Sequence, residues 1–184
     1  MDLQNETLRD YLLLILFTGL RRQEAAQLQW SQVDLKAKTL TIPDTKNRES
    51  HSLPLSDYLS NLLAQRKQTL VNEYVFPGVG KGGYIIEPRK QMAKVIKATG
   101  IQFMVHDLRR TFITIAESLD IPAYALKRLL NHKMGGDVTA GYIILDVERL
   151  RKPMQMIADF ILRQMELNNT PTVSSLVILE DKVN

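Results

Sequence analysis

The sequence predicts a mixed α+β fold, a mostly helical single domain with a small antiparallel β-sheet. Three observations predict it. Apolar residues recur at three- and four-residue spacing along most of the chain, the period of a helix with one buried face. One short region, residues 32–55, alternates instead and is rich in β-favouring residues. No internal repeat, low-complexity tract or clear linker divides the 184 residues.

Each element follows from its own residues. Leu8, Tyr11, Leu12, Ile15 and Leu16 lie at helical spacing, and Gly19 stands where a left-handed C-terminal stop belongs. A shorter helix is expected over Gln23 to Gln29. Lys38 to Ile42 and His51 to Leu55 read as hairpin strands around a polar turn, with Gln32 to Leu35 as a third strand. Ser56-Asp57 caps a helix running to about Val71. A glycine-rich connector spans Pro77 to Gly83, and a helix begins at Glu87-Pro88 and stops at Gly100. His106 to Leu119 presents Leu108, Phe112, Ile115 and Leu119 on one face. Further helices are expected from Pro122 to near Leu130, over Val138 to Leu145, and from Glu148 to Glu166, the last kinked or restarted at Pro153. After Asn168-Asn169-Thr170-Pro171, the apolar run Thr172 to Leu179 reads as a late strand.

Composition narrows the function classes. Lys and Arg outnumber Asp and Glu by 24 to 20, a net charge of +4, which suits a polyanionic partner without demanding one. Zero cysteines remove disulfides, thiolate zinc sites and thiol catalysis, and fit a reducing cytosol. The apolar run Tyr11 to Phe17 is too short to span a bilayer and follows an acidic, polar segment, unlike a signal peptide. The chain reads as cytoplasmic, with no membrane association.

Several residues carry chemistry on their own terms. Arg21, directly after a helix-ending glycine, is rigidly presented, and its planar fork can hold two oxygens of one phosphate. It can equally be a charged helix junction paired with Glu24. Lys46, in the hairpin turn, can donate a proton to a leaving alkoxide, or be a solvated turn residue with Arg48 as a rival cation. His106 and Arg109 are three apart and can meet one ligand from one helical face. The imidazole exchanges protons near neutrality and the guanidinium stabilises charge on a phosphoryl oxygen. Arg110 points elsewhere by helical geometry, toward a backbone phosphate or the surface, and the plainer alternative for the motif is a helix start of mixed charge. His132 follows a helix end, where Asn131 and Gly135-Gly136 favour a turn that exposes it. Tyr142 is either a core tyrosine beside Ile143 and Ile144 or a phenol that small neighbours, Ala140 and Gly141, leave open to a DNA backbone. Tyr11, Tyr58, Tyr74, Tyr84 and Tyr124 follow no His-bearing turn and are weaker candidates.

In order, Thr18-Gly19-Leu20-Arg21-Arg22-Gln23-Glu24, the Lys46 turn, His106-Asp107-Leu108-Arg109-Arg110-Thr111, Leu130-Asn131-His132-Lys133 and Tyr142 resemble the catalytic domain of tyrosine recombinases, the phage-integrase family. The run Glu148 to Met156 is also similar to integrases of prophages and genomic islands. The resemblance implies the tyrosine recombinase catalytic-domain fold over residues 1–167, with 168–184 a tail. It also implies an N-terminal core-binding domain outside this sequence, the chain being part of a longer integrase.

The implied activity is site-specific DNA cutting and rejoining through a 3′-phosphotyrosyl bond, with no cofactor and no metal. Arg21 and Arg109 would clamp the phosphate, Lys46 protonate the 5′-hydroxyl, His106 assist proton transfer, His132 hydrogen-bond the phosphate and Tyr142 attack. Glu24 and Asp107 would orient the arginine and histidine beside them. Arg22, Arg48, Arg110 and Lys133 would contact DNA. The implied partners are double-stranded DNA at attachment sites, further copies in a tetramer on DNA, and accessory DNA-bending proteins. The tail strand is expected to join a sheet edge in this chain or in a neighbouring protomer.

Two departures stand out. The family usually reads Leu-Gly-His where this chain has Leu130-Asn131-His132, and the interval from His132 to Tyr142 is one residue longer than the commonest pattern. Three other classes compete. A type IB topoisomerase shares the chemistry but not the small size or motifs. A non-catalytic DNA-binding module would have no reason to keep every catalytic group. A metal-dependent nuclease needs a carboxylate cluster or His-x-His spacing that the sequence lacks.

Overall fold

A computed structural model describes residues 6–45, 50–86, 88–131 and 147–169, with side chains to residue 166. Helix α1 (Glu6–Thr18) runs through the centre. Its residues Leu8, Tyr11, Leu14, Ile15 and Phe17 are all buried, more than one face can hold. Leu12 and Leu16, expected on the buried stripe, are only half-buried. An apolar run flanked by core on several sides loses the periodicity that would rank its residues.

Gly19 ends α1 with φ of +67°, and its amide bonds the Ile15 carbonyl at 2.8 Å. Helix α2 (Arg22–Ala26) is shorter than expected, because the chain at Leu28 and Trp30 turns to pair with a later segment. Val75 donates to the Leu28 carbonyl at 2.8 Å and Trp30 to the Glu73 carbonyl at 2.9 Å. That long-range pairing has no local signature.

The sheet is antiparallel in the order β1-β2-β3, from β1 (Val33–Asp34), β2 (Thr39–Ile42) and β3 (His51–Pro54). Leu40 pairs with Leu53 on the buried face, and Thr41 with Ser52 on the other, their hydroxyls 2.8 Å apart. Ile42 pairs with His51, so the imidazole falls on the same inward face as Leu53.

Helix α3 (Asp57–Lys67) is capped by the Ser56 hydroxyl, which accepts from the Leu59 amide at 3.4 Å. It ends at Lys67 instead of running to Val71. Arg66 there turns inward: it donates to Asp10 at 2.9 Å, to the Val75 carbonyl at 2.7 Å and to the Thr7 hydroxyl at 2.7 Å. Helix α4 (Arg89–Thr99) stops at Gly100, whose φ is +71°.

Helix α5 (Val105–Ser118) buries Arg109, Phe112 and Ala116, while Leu108, Ile115 and Leu119 pack at its edges. An arginine therefore occupies the centre of the face on which leucines were expected. Helix α6 (Ala123–Leu129) is followed by Asn131 at φ of +51°.

Helix α7 (Glu148–Asn169) runs without a break through Pro153. The amide missing at Pro153 deprives only the carbonyl of the exposed Arg149. The stripe Leu150, Met154, Ile157, Ala158 and Ile161 keeps the helix on the core across that position. Arg151 pins its start to the sheet by donating to the Ala37 carbonyl at 2.8 Å and the Lys38 carbonyl at 3.2 Å. The expected helix over Val138 to Leu145, the helix-opening Glu87 and the strand over Thr172 to Leu179 lie outside the described residues.

Candidate active site

Four elements converge on the C-terminal end of α1. Gly19 cannot be another residue without displacement: a Cβ there would stand 2.7 Å from a ring carbon of Phe112 on α5. This close approach of α1 to α5 lets the Arg109 guanidinium reach the Gly19 carbonyl with one terminal nitrogen. The other donates to the Leu130 carbonyl at 3.0 Å, past the end of α6. Two backbone carbonyls from separate elements thus hold a planar, five-donor group in one orientation.

Arg109 is only 6% exposed. Burial, and next the nearby charge of Arg21, pull its pKa down to about 10, against an upward pull from Glu24. It therefore remains a cation at neutral pH. Two guanidinium charges close enough to oppose each other favour an anion between them.

Arg21 stands between α1 and α2 as the residue that starts α2. Glu24 grips it twice, accepting from its side chain and from its backbone amide, both at 2.9 Å. The carboxylate is almost fully buried, whereas the arginine is partly open. The pairing expected from the sequence is therefore present, and it orients Arg21 toward solvent instead of consuming it.

Arg21 lines an open cleft of about 990 Å³ with Arg22, Glu24, Asp44, Tyr74 and His106. His106, on the first turn of α5, is exposed at the mouth, and Arg109 lies one turn deeper. Asp107, beside His106, caps the helix. Its carboxylate accepts from the Met104 amide at 2.8 Å, capping α5, and from Arg110 at 3.0 Å. The Met104 hydrogen bond is the main reason the Asp107 pKa is lowered. Arg110 is exposed on the surface, as helical geometry requires. Arg22 is exposed in the cleft wall.

The structure thus brings together Arg21, Glu24, His106 and Arg109. Lys46, Arg48, His132, Lys133 and Tyr142 lie outside the described residues. Asp44, two before Lys46, lines the cleft, and Asn131, one before His132, donates to the Thr45 hydroxyl at 2.8 Å. Asn131 also explains the departure from Leu-Gly-His. Its left-handed backbone suits glycine, and asparagine tolerates it better than other side chains do.

The other tyrosines are accounted for by packing or structure. Tyr11 is buried, its hydroxyl donates to the Arg22 carbonyl at 3.1 Å, and burial raises its pKa to about 12. Tyr58 stacks on Phe17 and burial raises its pKa too. Tyr84 meets Gln27 through its hydroxyl, and Tyr124 lies under Arg128. Tyr74 reaches the cleft, with its ring against Tyr84.

Sequence reasoning missed His51. It is 7% exposed, with Nε2 3.0 Å from the Arg128 carbonyl. Burial lowers its pKa, opposed by that hydrogen bond, and the charges of Glu24, Arg109 and Arg21 all reach it. The available signal was strand alternation, since His51 and Leu53 must share the inward face.

Among the described residues no group of acidic or histidine side chains is placed to hold a metal ion. No described helix is long and apolar enough to cross a membrane.

Comparison with known proteins agrees with this fold. The family model described as "Phage integrase family" matches residues 2–149. The prophage integrase IntF of Escherichia coli (strain K12) is 34% identical over 169 residues, covering 89% of this chain and 36% of IntF. The curated relatives it matches are all longer, the chain spanning 36% to 40% of their lengths. Among solved structures, an integrase from mycobacterium phage Brujita has the same fold at a TM-score of 0.67 and 20% identity, covering 83% of this chain and 52% of that one. The XerH site-specific recombinase bound to difH substrate aligns at 0.55 and 19% identity, covering 86% and 44% respectively. With the family model matched over most of its length, this chain belongs to the phage integrase family.

Proposed function

We propose that the chain is the catalytic domain of a site-specific DNA recombinase, with residues 1–167 as the domain and 168–184 as a tail. It cuts and rejoins strands through a 3′-phosphotyrosyl intermediate. The observation that carries this reading is the Arg21–Arg109 pair. One guanidinium is oriented by Glu24, the other by two carbonyls, and Arg109 feels the charge of Arg21 beside a cleft holding His106. Such a pair suits a phosphodiester, whose two non-bridging oxygens gain negative charge as phosphorus becomes five-coordinate.

In this reading the Tyr142 oxygen attacks phosphorus and its proton leaves with the help of His106. The bond from phosphorus to the 5′-oxygen breaks, and Lys46 gives that oxygen a proton. His132 donates to the phosphoryl group. Rejoining reverses these steps, with a 5′-hydroxyl displacing Tyr142. The phosphate keeps its bond energy throughout, so neither a nucleotide cofactor nor a metal is required.

The substrate is double-stranded DNA, and Arg22, Arg48, Arg110 and Lys133 contact its backbone. Assembly to a tetramer on attachment sites, accessory bending proteins and a cytoplasmic setting complete the reading.

The test is covalent capture from a pool of nicked duplexes of random sequence, in chelator, followed by denaturation and sequencing of the attached DNA. The expected result is a protein–DNA adduct with an enriched sequence, retained by Tyr74→Phe and lost in Tyr142→Phe. DNA binding without any adduct would contradict the reading and favour a DNA-binding module of the same fold.

A further inference from the structure

We propose that His51 is a positioning residue for Arg109, acting through the backbone at the end of α6. The Arg128 carbonyl can only accept, so the His51 nitrogen 3.0 Å from it, Nε2, carries the proton and donates. The same carbonyl receives the Asn131 amide at 3.1 Å, the bond that closes the helix-ending turn. Two residues on, the Leu130 carbonyl receives Arg109 at 3.0 Å. His51 and Arg109 therefore grip one short stretch of backbone, residues 128–131, from two sides. Moving this stretch moves one of the two carbonyls that set the plane of the guanidinium.

The imidazole is retained here at a cost. Its Nδ1 is buried with no hydrogen-bond partner among the described residues. A leucine on the inward face of β3, like Leu53 two residues along, would avoid that loss. The hydrogen bond that offsets it on this side chain is the one to Arg128. The role goes beyond the packing of the strand, because it ties the sheet to the turn on which Arg109 rests.

The inference rests on the proposed role of Arg109 as a phosphate clamp, and the experiment separates the two. Cleavage rates are compared on captured duplexes bearing either an ordinary scissile phosphate or a methylphosphonate of defined configuration. The methyl group removes one negative charge, and with it the need for one guanidinium. The protein is used as His51→Leu, His51→Gln, His51→Asn, Arg109→Ala and wild type. Gln places an amide N–H near the position of Nε2; the shorter Asn does not reach the carbonyl.

On phosphate DNA, His51→Leu and His51→Asn are expected to lose about 10- to 100-fold in rate, and His51→Gln to stay within about fivefold of wild type. On the methylphosphonate that rescues Arg109→Ala, His51→Leu should fall within about threefold of wild type. Should the leucine variant not fold, the asparagine variant carries the same comparison. A His51 defect equal on both substrates, or absent on phosphate, overturns the proposal while leaving Arg109 as the clamp. If neither methylphosphonate configuration rescues Arg109→Ala, both are overturned.

Discussion

His51 and Arg66 are the two residues whose buried polar atoms make the sharpest demands on this fold. Because burial depresses the His51 pKa, the unfolded chain binds a proton that the folded one resists as pH falls below the ordinary value of 6.5. Stability therefore rises with pH across that window and is lost on acidification below about pH 6.5. Thermal melts between pH 7.5 and 5 should show this loss, and His51→Gln should flatten it. An unchanged slope in the variant would mean that other groups set the acid limit. Arg66 forms a buried ion pair with Asp10, both side chains under a tenth exposed, and its guanidinium lies over the Phe76 ring. Removing Arg66 leaves the buried Asp10 with only the more exposed Arg9 as its ionic partner. Arg66→Ala should cost about 3–5 kcal/mol in denaturant unfolding, and adding Asp10→Asn should recover part of that. Additive losses in the double variant would show that the pair is not coupled. Neither residue was legible as important from the sequence. Their partners lie 77 and 56 positions away, and nothing near them marks those contacts.

Elements were more legible than their ends. The hairpin, the Ser56 cap, the glycine stop at Gly100 and the α5 start all follow from local chemistry that the structure reproduces. Where α2 and α3 fall short of their expected ends, the chain is claimed by long-range partners: the 28–30 and 73–75 pairing, and the Arg66 network. Gly19 shows how one element boundary serves both packing and site. Its positive φ and the 2.7 Å approach to Phe112 make Gly19→Ala strained on two counts. The left-handed backbone alone should cost about 1–2 kcal/mol. The displaced α1–α5 contact should also disturb the Gly19 carbonyl on which Arg109 rests. Combining Gly19→Ala with Phe112→Leu should relieve part of the steric loss, read as a recovery in melting temperature. No recovery would place the strain in the backbone alone.

At the scale of the whole molecule, the fold works as a frame that brings distant motifs to one site beside the cleft. Arg21 comes from the α1–α2 junction, His106 and Arg109 from α5, and the supporting carbonyl of Leu130 from the end of α6. The motifs were legible because each needs a particular residue type at a local boundary: a glycine stop before Arg21, and a helical i, i+3 pair on α5. The carbonyl cradle of Arg109 was not, since backbone acceptors leave no trace in residue identity. The capping role of Asp107 went unread for a similar reason. An acidic residue three places into a helix is both a plausible partner for histidine and a ready cap, and the structure shows the cap.

The central claim is that Tyr142 forms the covalent bond to DNA. The most direct test is mass spectrometry of the captured adduct after nuclease and trypsin digestion. Cleavage after Lys133 and Arg149 releases residues 134–149, a peptide with Tyr142 as its sole tyrosine. A residual nucleotide attached to Tyr142 in that peptide is the predicted result. The nucleotide on Tyr74, on a serine or on any other peptide would contradict the account.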